Sequence, residues 1–154
     1  MICPAARNHG DSVMTLVQAM HRRPPVTRPE ATLRRAAKQM ASTGSAMLPV
    51  IAGGRLVGTL SAFDLTTRSV GGDLDPDRRT VRALMRRDSP SCRPADGIEE
   101  VRARMIELRT PTLPVTEADA QLVGLVHWFD IERASASSAG PEPEMVKRVR
   151  GEAV

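Results

Sequence analysis

Two stretches of the chain carry apolar residues at helical spacing: Leu33, Ala36, Ala37 and Met40 in the first, Ile98, Val101, Met105 and Leu108 in the second. Residues three and four apart share one helix face, so each stretch predicts an amphipathic helix with a single apolar stripe, the first following Pro29 and the second starting near residue 97. The second start reads Asp96-Gly97-Ile98-Glu99 and has the form of a capping box, in which an acceptor at the cap and a Glu three residues on satisfy free amides. Short apolar runs at 47–51 and 56–60 flank Ala52-Gly53-Gly54-Arg55. Paired glycines supply the positive φ angles of a tight turn, so these runs predict a β-hairpin, and the runs at 113–116 and 122–126 predict a second.

The two halves of this pattern are copies. A shift of 65 residues places Met20 on Met85, Arg22 on Arg87, Arg28-Pro29 on Arg93-Pro94, Met40 on Met105 and Leu48-Pro49-Val50 on Leu113-Pro114-Val115. A shift of 66 continues the match, with Leu56-Val57-Gly58 on Leu122-Val123-Gly124 and Phe63-Asp64 on Phe129-Asp130, so the second copy has one extra loop residue between Val115 and Leu122. Loops tolerate such insertions. Each copy reads as a short extended piece, a helix, a hairpin and a second helix. A unit of roughly 55 to 65 residues buries little apolar surface alone, so the copies are expected to pack sheet against sheet around a pseudo-twofold axis as one α/β (α+β) globule. The expected boundaries are a flexible N-terminus over 1–12, a first repeat over 13–70, a linker over 71–80, a second repeat over 81–134 and a mostly flexible tail over 135–154. Within that tail Met145, Val146 and Val149 allow a helical turn or two.

Composition narrows the function. The 154 residues are 41% hydrophobic and 26% charged, as in soluble globular proteins, and no apolar run approaches the roughly 20 residues that cross a bilayer. The start carries no apolar signal segment, and cytoplasm is the expected location. One Trp, two Phe and no Tyr leave a core of aliphatic residues and Met, and argue against a base-stacking RNA-binding sheet. Cys3 and Cys92 are too few for a disulfide framework or a four-thiolate metal site, and His9 and His21 stand alone, so no metal site is expected. The excess of 22 Lys+Arg over 18 Asp+Glu favours anionic partners. It concentrates in Arg22, Arg23, Arg28, Arg34, Arg35 and Lys38 and again in Arg78, Arg79, Arg82, Arg86 and Arg87, each residue being open to reading as solvated surface or as phosphate contact. No nucleophile-and-base pair, Walker loop or metal cluster appears, so no catalytic residue is expected.

The ordered set VQAM, PPVTRPEATLRRAAKQM and MLPVIAGGRLVGTLSAFDL, followed by VRALM, SPSCRPADGIEEVRARM and TLPVTEADAQLVGLVHWFDI, resembles a tandem pair of CBS domains, the Bateman module, over about residues 13 to 134. The resemblance implies two βαββα repeats, often a homodimer of such pairs, and no chemistry of its own. It also implies a regulatory module that senses energy or metabolite state through an adenosine-bearing ligand (AMP, ADP, ATP or S-adenosylmethionine) held between the repeats. No further cofactor is implied, and the effector protein is unknown. The rival readings are a ligand-free dimeric scaffold and, less favoured, nucleic-acid binding through the basic stretches.

Gly58-Thr59-Leu60-Ser61-Ala62-Phe63-Asp64 reads as a strand running into a helix, where free amides favour an anion. Ser61 and Asp64 are open to two compatible readings, a helix cap or ligand contacts; the family pattern implies a phosphate or ribose contact for Ser61 and the ribose diol for Asp64. The second copy keeps Asp130 but has His127 where the first has Ser61, so the two sites are not expected to be equivalent. His127 is either a protonated phosphate partner or a neutral cap or packed ring. By resemblance, adenine would lie among Thr27, Met47, Leu48, Pro49, Leu60, Thr112, Leu113, Pro114 and Val126. Phosphates would meet Arg28 and Arg93 first and Arg22 and Arg87 next. Phe63 and Phe129, repeat equivalents, are expected in packing or a dimer contact rather than stacked on adenine.

Overall fold

The computed structural model describes residues 14–138. The expected flexible terminus over 1–12, with His9, and the tail residues 139–154 lie outside the described residues. Helix α1 (Leu16–Ala19) is the first element of the described residues. The longer α2 (Leu33–Thr43) buries Leu33, Ala36 and Met40 on one stripe, accepts the Arg35 amide on the Thr32 side chain at its start, and ends at Gly44 in the left-handed region. Strands β1 (Met47–Ala52) and β2 (Arg55–Ser61) form an antiparallel hairpin whose turn residues Gly53 and Gly54 have φ of 58° and 77°. Beyond β2, α3 (Ala62–Asp64) passes directly into a π-helical stretch, Leu65–Val70.

The second copy repeats this plan with α4 (Val81–Leu84), α5 (Ile98–Leu108), β3 (Thr112–Thr116), β4 (Leu122–His127) and α6 (Trp128–Ser138). Both hairpins shift register at equivalent places, between Val50 and Ile51 and between Val115 and Thr116. The short extended piece of each copy is one parallel bridge: Thr27 donates its N–H to the Pro49 carbonyl at 2.9 Å, and Cys92 does the same to Pro114 at 2.9 Å. Two βαββα repeats therefore make the α+β fold.

What joins them is an exchange of their leading segments. Leu16 is buried with Cys92, Val101, Met105, Leu113, Val115, Val126 and Ile131, the core of the second repeat. Val81 and Leu84 are buried with Leu33, Ala36, Met40, Leu48, Val50 and Leu60, the core of the first. After α1, His21 pairs with Leu125 of β4 through bonds of 2.7 and 3.0 Å; after α4, Arg86 pairs with Thr59 of β2 through bonds of 2.8 and 3.0 Å. Each crossing passes over a glycine. A Cβ on Gly58 would lie 2.6 Å from the Arg86 carbonyl oxygen, and one on Gly124 would lie 2.8 Å from Met20 Sδ and 3.0 Å from the His21 carbonyl oxygen. The Gly shared by the two motif copies is thus the seat for the other repeat's backbone.

Three details differ from the sequence reading. The capping box at 96–99 does not form: Gly97 is the cap residue, with no side-chain cap bond. Asp96 instead turns back to accept the Arg93 N–H at 2.9 Å. The 71–80 stretch also closes the start of α2, since Leu33 and Arg34 donate their amides to the Arg79 and Pro76 carbonyls at 2.9 and 3.0 Å. These amides have no partner within the helix, so the stretch supplies what a cap would. Finally, α6 runs to Ser138, past the expected repeat boundary at 134, with Ile131 and Ala134 buried beneath it.

Candidate functional site

The end of β2 and the start of α3 in the first repeat face the 86–90 segment and the α5–β3 turn of the second across a cavity of about 510 Å³. Ser61 is the helix cap: its Oγ accepts the Asp64 N–H at 3.0 Å and donates to Asp64 Oδ2 at 2.9 Å. It also lines the cavity. Asp64 is 5% exposed. Arg86, on the segment crossing from the second repeat, grips its carboxylate with both ends of the guanidinium, Nε donating to Oδ2 at 2.8 Å and Nη2 to Oδ1 at 3.0 Å. That two-pronged bond holds the Asp64 carboxyl below its usual range against the opposing effect of burial, with Ser61 adding to it. The same bond raises the Arg86 pKa.

The remaining walls combine cations, hydroxyls and apolar surface. Arg109 lines the cavity from the end of α5, where it adopts φ 51°, and Thr59 Oγ1 lies 2.5 Å from Ser89 Oγ. Phe63 is 71% exposed at the cavity, so this side chain is not packed in either core; its equivalent Phe129 is 84% exposed. Trp128 instead packs against the second core, with the Arg102 guanidinium 5.8 Å from its ring centroid.

The equivalent groups of the second repeat form a different cluster. His127 takes the place of Ser61, and Thr112 Oγ1 lies 3.2 Å from its Nδ1. His21, which the 65-residue shift places opposite Arg86, takes the arginine's role: its Nε2 lies 2.8 Å from Asp130 Oδ2 and its ring meets His127 edge-on at 5.0 Å. Arg133 donates to the other oxygen of Asp130 at 2.9 Å. His21 therefore does not stand alone. Burial and the neighbouring His21 lower the His127 pKa, with Asp130 opposing, so the neutral packed ring, not the protonated phosphate partner, matches this environment.

Of the residues singled out in the sequence, Met47, Ser61, Asp64, Thr112, Leu113 and Pro114 line the cavity. Leu48, Leu60 and Val126 are fully buried in the two cores, because strands covered on both faces turn these side chains inward. Pro49 is buried in β1 beside Thr27. Thr27 and Arg28 line a separate open groove with Arg35 and Lys38 on the outer side of α2. Arg93, Arg22 and Arg87 are exposed and are not among the cavity-lining residues. The arginines that the fold brings to the cavity are Arg86 and Arg109. Arg86 was legible in the sequence only as one member of the second basic cluster, and Arg109 carried no signal.

The CBS domain family model matches residues 14–71 and 81–137, and the chain belongs to the CBS domain family. The CBS domain pair of protein MJ0100, solved in complex with 5′-methylthioadenosine and S-adenosyl-L-methionine, superposes with a TM-score of 0.70 at 20% identity, covering 82% of this chain and 98% of that one. Hypoxic Response Protein I, solved with two coordinated zinc ions, gives a TM-score of 0.70 at 27% identity, covering 78% of this chain and 98% of that one. Among curated proteins, the Meiotically up-regulated gene 70 protein of Schizosaccharomyces pombe is 26% identical over 145 residues; these are 94% of this chain but only 20% of that protein. Among the described residues no helix is long and apolar enough to cross a membrane, and no group of three or more His, Cys, Asp or Glu is placed to hold a metal ion.

Proposed function

We propose that this chain is a non-catalytic regulatory module of the cytoplasm that binds an adenosine-bearing ligand, of the AMP, ADP, ATP or S-adenosylmethionine class, in the cavity between its two repeats. The observation that carries this reading is that both repeats wall the cavity, Ser61 and Asp64 from one and Arg86, Arg109 and Thr112 from the other. The adenosine-derived ligands of the MJ0100 domain pair support the ligand class. Apolar wall from Met47, Pro111, Leu113 and Pro114 suits a base, and Arg86 and Arg109 suit phosphates. A ribose diol reaches Asp64 only by displacing Arg86. Because Arg86 belongs to the segment crossing from the second repeat, its displacement is felt there, and occupancy is passed on as a change of shape or of association in a homodimer, towards an effector protein.

Titration calorimetry with AMP, ATP and S-adenosylmethionine tests this. Binding is expected with at least one, weakened about tenfold or more, or about 1.4 kcal/mol, by Asp64→Ala and by Arg109→Ala. One observation favours a second reading, a ligand-free dimeric scaffold: Asp64 already accepts three side-chain hydrogen bonds, from Arg86 and Ser61. Silence with all three ligands at millimolar concentration would select the scaffold.

A further inference from the structure

The open groove on the outer side of α2 has a volume of about 1060 Å³, and no residue lines both it and the cavity between the repeats. Thr27 is the one buried residue of its lining, at 5% exposed, and so forms its base. Both backbone groups of Thr27 are spent on β1, the N–H on the Pro49 carbonyl and the carbonyl on the Ile51 N–H, each at 2.9 Å. Its hydroxyl has no hydrogen-bond partner among the described residues, yet none of their side-chain oxygens or nitrogens is both enclosed and unbonded. The hydroxyl therefore looks out through the small part of the residue that stays open, which is the groove. A polar group so placed has given up most of its water and waits for a partner from outside.

The rim supplies charge. Arg28, Arg35 and Lys38 line the groove and are exposed, and none has a carboxylate within ion-pair distance among the described residues. The groove's own acid, Glu30, holds Arg82 at 3.0 Å, and Asp77, which feels the charge of Lys38, is gripped by Arg34 with two bonds. Arg35 and Lys38 stand three apart on α2, where like charges repel. Gln39 ties the two walls together, its Nε2 donating to the Val26 carbonyl at 2.8 Å. We infer that this groove is a second ligand site, taking a small anion with a multiply charged phosphoryl group whose oxygens meet the Thr27 hydroxyl at the base and Arg28, Arg35 and Lys38 at the rim. A phosphoryl group points three oxygens in different directions, which suits donors arriving from the base, from the 26–31 segment and from α2. A carboxylate offers two oxygens in one plane and leaves one of these sides unserved.

Inorganic pyrophosphate is the probe, in calorimetry and thermal melts of the full chain at low salt, where exposed cations act most strongly. It is expected to bind and to raise the Tm as its concentration grows. Thr27→Val, Arg35→Gln and Lys38→Gln should each weaken it about tenfold, while Arg109→Ala, in the other cavity, leaves it unchanged. Thr27→Val nearly keeps the side-chain shape, and because the hydroxyl bonds to nothing within the protein, the Tm without ligand should not fall. Citrate, with its charge on carboxylates, is expected to bind at least tenfold more weakly than pyrophosphate. Silence with pyrophosphate at millimolar concentration would overturn the site, as would binding that Arg109→Ala removes or that the three groove variants leave intact. A lower Tm for ligand-free Thr27→Val would show that the hydroxyl serves the fold, and citrate binding as tightly as pyrophosphate would show a response to charge alone; either result overturns the phosphoryl assignment. The inference does not lean on the adenosine reading. Silence with adenosine alongside pyrophosphate binding that obeys the groove variants would discard that reading and leave this site standing.

Discussion

The substitution Gly58→Ala probes the seat on which the repeats cross. Its added methyl would lie 2.6 Å from the Arg86 carbonyl oxygen, well inside van der Waals contact, and the obstacle is backbone rather than a flexible side-chain end. The crossing strand must lift. That lengthens the two bonds between Thr59 and Arg86, now 3.0 and 2.8 Å. Each is worth about 1 kcal/mol net, and overpacking adds about 1 to 3 kcal/mol. Against this stands about 0.5 to 1 kcal/mol gained because alanine restricts the unfolded chain. The balance is a loss of about 2 to 4.5 kcal/mol, or about 6 to 14 °C in Tm. Gly124→Ala is the internal control: its nearest obstacle, at 2.8 Å, is the movable Met20 Sδ, and the backbone oxygen of His21 lies further off at 3.0 Å. It should cost about 1 kcal/mol or less. Urea unfolding followed by Trp128 fluorescence and far-ultraviolet circular dichroism measures both. If Gly58→Ala lies within about 0.5 kcal/mol of the wild type, or costs less than Gly124→Ala, the crossing is not what requires glycine.

Three further outcomes follow from ionisation and burial. The Asp64 pKa is lowered in the fold by Arg86, so its contribution is present above the unfolded carboxylate pKa and is lost as the pH falls through the folded one; Asp64→Asn should be less stable than the wild type at neutral pH and converge on it in acid melts. The His127 pKa is lowered as well, so the unfolded chain binds more protons below about pH 6.5 and this side chain destabilises the fold there. His127→Ser, which restores the hydroxyl found at position 61, should therefore gain on the wild type as the pH drops from 8 towards 5 in urea titrations, and a constant difference would refute the assignment. Cys92 is buried and its thiol is pushed up to about 12, so in a Cys3→Ser background Ellman's reagent should stay colourless on the native protein at pH 8 and develop one thiol equivalent in denaturant.

The repeat carried most of the architecture into view. Leu48-Pro49-Val50 and Leu113-Pro114-Val115 mark the first hairpin strands of both copies, and the glycines at 53 and 54 mark a turn because few other residues accept their φ angles. The exchange of Leu16 and of Val81 with Leu84 was not legible. A pattern of apolar residues says that a segment is buried, but two near-equivalent cores offer it the same welcome, and only the path of the intervening chain chooses between them. The candidate site divides in the same way. Ser61 and Asp64 were readable because cap and strand end are local features. Arg86 stood out only within a basic cluster and Arg109 in none, because nothing local shows which arginine faces the other repeat, and strand position alone does not tell cavity wall from core, where Leu48, Leu60 and Val126 lie. Asp96 went astray for a simpler reason: a carboxylate near a helix start has two amides within reach, and it took the Arg93 one.

The crossed segments also bear on descent and on dissection. Each half lacks an apolar plug for its own interior and holds its sister's, so a polypeptide severed within the 71–80 stretch would yield two pieces that complete one another rather than two independent units. By the same logic, an ancestor of half the length would have reached this arrangement as an intertwined pair of identical chains, later spliced end to end.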